Sequence, residues 1–176
     1  MTIKVLEKVK GCMPQISANG DMIDLYTAEE VTLKAPYART LHRLKTDNDK
    51  INITRDIVYD SAIVSLGVAM ELPKGCEAVV IPRSSTFKKW SVVQVNSQGE
   101  IDNIYNGKDD IWKMPIIAFR NVTIPKGTRL CQFRVQLSQK ATVWQKIKWL
   151  FSSSIKLKQV SSLGDNNRGG FGTSGN

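Results

Sequence analysis

No apolar run in this sequence comes near the roughly eighteen residues that a membrane-spanning helix needs. The opening stretch MTIKVLEKVKGC carries lysines but no apolar leader core behind them, so the chain is expected not to be exported and to work in the cytoplasm. Cysteine is scarce. Cys12, Cys76 and Cys131 are odd in number and lack metal-ligand spacing, which speaks against a disulfide-stapled module and against a zinc site. They read as reduced, partly buried thiols. Aromatic residues make up only 7% of the chain, yet 41% hydrophobic against 23% charged residues over 176 positions is enough for one folded domain and too apolar for a disordered chain.

A further absence is local. Residues 111–164 contain ten Lys or Arg and no acid, whereas residues 1–110 hold 14 basic against 15 acidic side chains. The net charge of +9 therefore resides almost wholly in the second stretch. Such a segment suits an anionic partner: nucleotide phosphates, nucleic acid or an acidic protein surface. A solvated basic face without any ligand gives the same pattern.

What is present reads mostly as short strands. Apolar or β-branched runs stand at Ile3–Leu6, Val31–Leu33, Ile51–Ile53, Ile63–Met70, Ala78–Ile81, Val92–Val95, Ile116–Phe119 and Leu130–Val135. Turn signals such as Pro73-Lys74-Gly75 and Pro125-Lys126-Gly127 separate them, a spacing that predicts a sandwich or barrel. Residues 142–151 differ: Val143, Ile147, Leu150 and Phe151 share one helical face with Trp144 at its border, and Lys146, Lys148 and Trp149 are assigned to the other side. A last strand-like run spans Ile155–Val160. Residues 165–176 form a Gly-rich tail with little to bury, expected to be mobile until a ligand orders it.

Four polar constellations interrupt the apolar pattern. Asp21 and Asp24 flank a short apolar pair before Leu25. Pro82-Arg83-Ser84-Ser85-Thr86 follows a strand directly, and a guanidinium beside hydroxyls and free N–H groups suits phosphate oxygens as well as an ordinary helix cap. Asn96 to Gly107 predicts a short hairpin between Gly99 and Gly107. Its backbone can read a planar base, Asp102 can act as a general base, and Tyr105 can pack on a sugar; a surface turn would look the same. In the tail, Arg168, Phe171 and Thr173-Ser174 can close over a nucleotide.

Order and spacing together are more specific than any one of these. The chain resembles the trimeric dUTPase (deoxyuridine triphosphate nucleotidohydrolase) family over nearly its whole length. Five family motifs occur in sequence: Asp24-Leu25-Tyr26-Thr27-Ala28; Pro82-Arg83-Ser84-Ser85; Asn96 through Gly107, matching N-x-x-G-x-I-D-x-x-Y-x-G; Gly127-Thr128-Arg129-Leu130-Cys131-Gln132; and Arg168-Gly169-Gly170-Phe171-Gly172-Thr173-Ser174-Gly175. The short form looks most like those of bacteriophages and prophages, which would place it in a bacterial host cell.

The resemblance implies an all-β, jelly-roll-like (β-clip) subunit with a short helix near 142–151, one domain over residues 1–164 and a tail, 165–176, that closes over the active site. It implies a homotrimer whose sites take the second and fourth motifs from one subunit, the third from another and the tail from a third. It also implies dUTP hydrolysis to dUMP and pyrophosphate, by water attack at the α-phosphorus, with Asp102 as base. Tyr105 would stack under deoxyribose, Asn96 and the backbone of Gly99, Glu100 and Ile101 would bind uracil, and Arg83, Ser84, Ser85 and Gln132 would hold phosphates. Arg168 would reach the γ-phosphate, Phe171 would cover uracil, and Thr173 and Ser174 would add phosphate contacts. Asp24 would support Mg²⁺ through water, the ion being held mainly by the triphosphate. Departures from the family pattern are a fifth motif two residues shorter, because Arg168 directly precedes Gly169-Gly170, and expansions at 40–62 and 139–154. Two other readings share the fold: a dCTP deaminase-like enzyme, which generally lacks the intact third motif, and a regulatory or nucleic-acid-binding module, which the basic 111–164 segment favours and the full motif set does not.

Overall fold

Alternation decides the architecture: along most strands every second side chain is apolar, so each strand can turn one face into a shared core. A computed structural model describes residues 1–18, 20–45, 51–152 and 154–170. In chain order its strands are β1 (Thr2–Glu7), β2 (Gln15–Ile16), β3 (Ile23–Tyr26), β4 (Val31–Leu33), β5 (Tyr37–Lys45), β6 (Ile51–Val58), β7 (Ser61–Glu71) and β8 (Cys76–Pro82). Helix α1 (Thr86–Trp90) follows, then β9 (Val92–Gln94), β10 (Gly99–Ile101), β11 (Ile111–Ala118), β12 (Val122–Ile124) and β13 (Arg129–Leu137). Helix α2 (Val143–Leu150) and β14 (Lys156–Gln159) complete the described chain.

Two five-stranded sheets, ordered β14-β1-β7-β11-β9 and β10-β8-β13-β3-β2, supply the core, while β12 pairs with β4 and β5 with β6. Ile3 and Val5 of β1, Leu66 and Met70 of β7, and Trp112 and Met114 of β11 meet Ile23 and Leu25 of β3, Val80 of β8 and Phe133 of β13 in one buried cluster. Trp112 and Phe133 join the sheets edge to face, with ring centroids 5.0 Å apart. All three cysteines are free and buried, and burial pushes each thiol above its ordinary range.

Sheet order brings distant motifs together. β13 lies between β8 and β3, so Gln132 stands opposite Ile81 on one side and Asp24 on the other, and Cys131 stands opposite Pro82. β10 adds to the other side of β8, with Gly99 opposite Val80 and Ile101 opposite Ala78. Motifs one, two and four thus gather near one end of β8, and motif three lies toward its beginning. The last strand, β14, runs parallel to β1 of its own chain and delivers residues 161–170 back toward Gly107.

Several expectations need correction. Residues 99–107 are not a two-stranded hairpin: β10 pairs with β8, and residues 102–106 form turns held by Tyr105 N–H donating to the Asp102 carbonyl and Asn106 Nδ2 donating to Asn103 O. Strand β11 starts at Ile111 instead of near Ile116. The 40–62 expansion falls largely within the β5–β6 pair, with residues 46–50 outside the described residues.

Helix α2 falls where the apolar period puts it, opened by a reciprocal cap in which Thr142 Oγ1 accepts the Gln145 N–H and Gln145 Oε1 accepts the Thr142 N–H. On the side opposite the apolar arc, Lys146 and Lys148 are exposed, but Trp149 is not. Trp149 packs against the core, while Trp144, Leu150 and Phe151 are 79%, 78% and 81% exposed in the single chain. Gln145 and Trp149, one turn apart, are the two half-buried side chains of the helix and mark the side that meets the sheet.

Candidate active site

A pocket of about 250 Å³ lies over the third motif, lined by Asn96, Gly99, Glu100, Ile101, Asp102, Tyr105, Lys113 and the tail residues Arg168 to Gly170. Its floor begins where β9 ends. Ser97 takes left-handed backbone (φ 57°) to reverse the chain, and buried Gln94 donates from Nε2 to Val80 O (3.3 Å) and to Asn96 Oδ1 (2.9 Å). With its oxygen engaged, Asn96 presents its Nδ2 hydrogens. β10 is the outermost strand of its sheet, so one side of its backbone is free of strand pairing.

Asp102 follows β10 at once. Its Oδ1 accepts the Ile104 N–H at 3.2 Å, and its Oδ2 pairs with the Arg168 guanidinium. Tyr105 is fixed at both ends: its N–H is in the turn, and its hydroxyl donates to Ile111 O at 2.9 Å. Burial, then the nearby Asp110 charge, raises the Tyr105 pKa and keeps the phenol neutral. Asn103 ties the loop down through Nδ2 to Leu72 O and Pro73 O. Gly170 lies against the Tyr105 ring, where an added Cβ would stand 3.6 Å from ring atoms.

The phosphate-type cluster is separate. Asp24 is only 5% exposed, and its two carboxylate oxygens face Arg83 Nε at 3.0 Å and Arg129 Nη1 at 3.3 Å. This network orients the Arg83 fork at the end of β8. Buried Thr86 clamps the turn to β13 by donating Oγ1 to Leu130 O at 2.6 Å. Ser84 is exposed and Ser85 half-buried at the start of α1, and the Ser85 side chain makes no cap bond to the helix. Gln132 is half-buried beside them on β13. The Tyr26 hydroxyl is raised by burial and then by Asp24.

The structure therefore gathers Asn96, Gly99, Glu100, Ile101, Asp102, Tyr105 and Arg168 into one pocket, and Asp24 with Arg83 into another place on the same sheet. Arg83, Ser84, Ser85 and Gln132 do not line the pocket. Counting from Ala78, which faces Ile101, five strand residues lead to Arg83, roughly 16 Å at about 3.3 Å per residue. Phe171, Thr173 and Ser174 lie outside the described residues. The tail begins differently from expectation: residues 165–170 are docked, and on the third motif of their own chain, because β14 pairs with its own β1 and leaves only a short link to Gly107.

Sequence reasoning assigned no role to Gln94, Asp110, Lys113 or Arg129. Gln94 and Lys113 sit on ordinary alternating strands and announce nothing. Arg129 lies within a motif, but its partner Asp24 is 105 residues away. Asp110 had one signal, paired acids one residue beyond Gly107, after Lys108.

Among the described residues no cluster of three or more His, Cys, Asp or Glu could hold a metal ion, and no helix is long and apolar enough to cross a membrane. A sequence model of one family, described as dUTPase, matches residues 49–175. The SPbeta prophage-derived deoxyuridine 5'-triphosphate nucleotidohydrolase YosS of Bacillus subtilis is 38% identical over 156 residues, spanning 89% of this chain and 84% of that protein. A deoxyuridine 5'-triphosphate nucleotidohydrolase of Finegoldia magna is 28% identical over 182 residues, 99% of each chain. Among solved structures, a dUTPase from Streptococcus mutans has a TM-score of 0.58 at 19% identity, covering 78% of this chain and 95% of its own. A Staphylococcus aureus phage phi11 dUTPase, described with a structural Mg(II) ion, has a TM-score of 0.58 at 16% identity, covering 81% and 95%.

Proposed function

The chain belongs to the dUTPase family and is a dUTP diphosphatase that hydrolyses dUTP to dUMP, and we propose that Asp102 activates the water that attacks the α-phosphorus. The observation that carries this reading is the single pocket that combines Asp102, Tyr105, Asn96 and the open edge of β10. Uracil pairs with the β10 backbone and Asn96, and deoxyribose rests on the Tyr105 ring, which its own hydrogen bond to Ile111 holds in place. Asp102, within the same pocket, takes a proton from water as the phosphorus–oxygen bond forms and pyrophosphate leaves. Arg168 starts on Asp102. The phosphates of dUTP draw its guanidinium away, which both binds the nucleotide and frees the carboxylate for water.

Arg83, Ser84, Ser85 and Gln132 hold the phosphates, with Asp24 orienting Arg83. Phe171, Thr173 and Ser174 complete the closure. These residues belong to the single domain of 1–164 and its tail, 165–176. Since the phosphate cluster does not line its own chain's base pocket, the complete site forms in a homotrimer, where one copy's cluster faces another's pocket. The outward apolar face of α2 supports burial between copies. Mg²⁺ carried on the triphosphate oxygens would lie near Asp24, the buried carboxylate of the phosphate cluster, whose oxygens already face Arg83 and Arg129 and would act on the ion through water. The ion, when bound, would supply neutralisation of the charge that develops on the phosphates.

Selectivity follows from the backbone edge. Cytosine turns an acceptor into a donor against a donor, and a buried mismatch of that kind costs about 1–3 kcal/mol. Pyrophosphate release is therefore expected to be fast with dUTP and at least about fivefold to a hundredfold slower in kcat/KM with dCTP. It is expected to be slow with dTTP and UTP as well. Equal rates with dCTP, or ammonia release from it, would overturn the reading in favour of a deaminase-like enzyme.

A further inference from the structure

We propose that Asp110 is the positioning residue that latches the start of the fifth motif, Arg168 to Gly170, over the pocket, an inference that rests on the dUTPase reading for its catalytic consequence but not for its geometry. Asp110 is 1% exposed and lies outside all five motifs. Its carboxylate receives backbone amides from both sides of the junction. Gly107 N–H donates to Oδ2 at 2.9 Å, Arg168 N–H lies 3.0 Å from each oxygen, and Gly169 N–H donates to Oδ1 at 2.9 Å. One buried anion thus ties the end of motif three to the start of motif five.

The neighbours complete the cradle. Asp109 N–H donates to Asn167 Oδ1 at 2.8 Å, and Asn167 Nδ2 returns a bond to Asp109 Oδ2 at 3.1 Å. Lys108 N–H donates to Gly164 O at 2.8 Å. Gly107 has to be glycine for the tail to cross it, since a Cβ there would collide with Asn167 Oδ1 and stand 2.7 Å from Asn166 O. With the tail so held, Arg168 reaches Asp102, and Gly170 rests on the Tyr105 ring.

Charge explains why an aspartate serves here. Bonds from N–H groups to an ionised carboxylate are about twice as strong as neutral ones, and a carboxylate has enough lone pairs for all of these donors. If the tail leaves, the anion loses its Arg168 and Gly169 donors, so undocking is opposed by more than the small contact area of a Gly-rich segment. The latch sets how often Arg168 to Gly170 lie over the pocket, and hence how well dUTP is captured.

The test uses the full chain and trypsin, which cuts after Arg168, the bond flanked by the two latched amides. In Asp110→Asn one oxygen becomes an N–H group facing donors. Cleavage after Arg168 is expected to speed up at least about tenfold while the rest of the chain stays resistant. In dUTP hydrolysis, kcat/KM should fall toward that of a chain lacking residues 165–176. Combining Asp110→Asn with that deletion should cost nothing beyond the deletion alone, a non-additivity that general destabilisation does not produce. Should Asp110→Asn fail to fold, Gly107→Ala supplies the same readout by blocking the tail's path with the carboxylate intact. A folded Asp110→Asn or Gly107→Ala protein whose tail stays as resistant as wild type would overturn the proposal, as would additive losses in the double variant. Failure of the dUTPase reading is distinguishable, because it would abolish wild-type dUTP turnover and leave the tryptic difference untouched.

Discussion

Asp102→Asn is expected to lower kcat for dUTP by about 10²–10⁴-fold, the usual cost of losing a general base. The amide keeps the shape of the carboxylate, and its oxygen can still accept the Ile104 N–H. It cannot take a proton from water at neutral pH, and its NH₂ group repels the Arg168 guanidinium that the carboxylate attracts. Folding should hardly notice. Asp102 and Arg168 have side chains 43% and 39% exposed, and exposed ion pairs contribute only about 0–1 kcal/mol. Thermal midpoint and affinity for a non-hydrolysable dUTP analogue should therefore stay close to wild type while turnover collapses. Turnover within a few-fold of wild type would remove Asp102 from the mechanism.

The second large effect is expected at Arg83. Replacing it by lysine keeps the charge but loses the planar fork, one arm of which is fixed by Asp24 while the rest remains for phosphate. Loss of one preorganised donor to a reacting anion typically costs about 10²–10³-fold in rate, so Arg83→Lys should lower kcat/KM by that order. A stability cost should accompany it, because Asp24 is buried and would keep only Arg129 as a well-placed partner. About 1–3 kcal/mol is the scale for a buried acceptor left short of a donor. Steady-state kinetics and urea unfolding measure the two parts separately. Wild-type kinetics in a folded Arg83→Lys protein would mean that the cluster around Asp24 is structural only.

The parts of this site that were legible in the sequence are those that lie together along the chain. Asn96 to Tyr105 fall within ten residues, so their spacing carries their geometry, and the structure does put them in one pocket. Strand positions were legible for the same reason: alternation is local, and β4, β8, β9 and β13 fall on the apolar runs. What escaped depends on distant partners. Asp24 reads as an acidic turn until β13 brings Arg129 beside it across 105 residues, and Asp110 reads as one of two surface acids until the tail returns across 58. The faces of α2 escaped because a helical period tells which residues share a side but not which side meets the sheet. Trp149, set between lysines, is the residue that packs inward.

One chain carries the base pocket around Asp102 and, apart from it, the phosphate cluster around Arg83; in the proposed homotrimer the two become a site only between copies. Mixing separately purified Asp102→Asn and Arg83→Lys proteins under conditions of subunit exchange tests it most directly, with mixed oligomers verified by native mass spectrometry. If the halves combine between chains, some sites receive an intact Asp102 from one copy and an intact Arg83 from another. dUTP turnover should then rise well above the average of the two parents. Verified mixed oligomers with no activity above that average would contradict the account and return the whole site to a single chain.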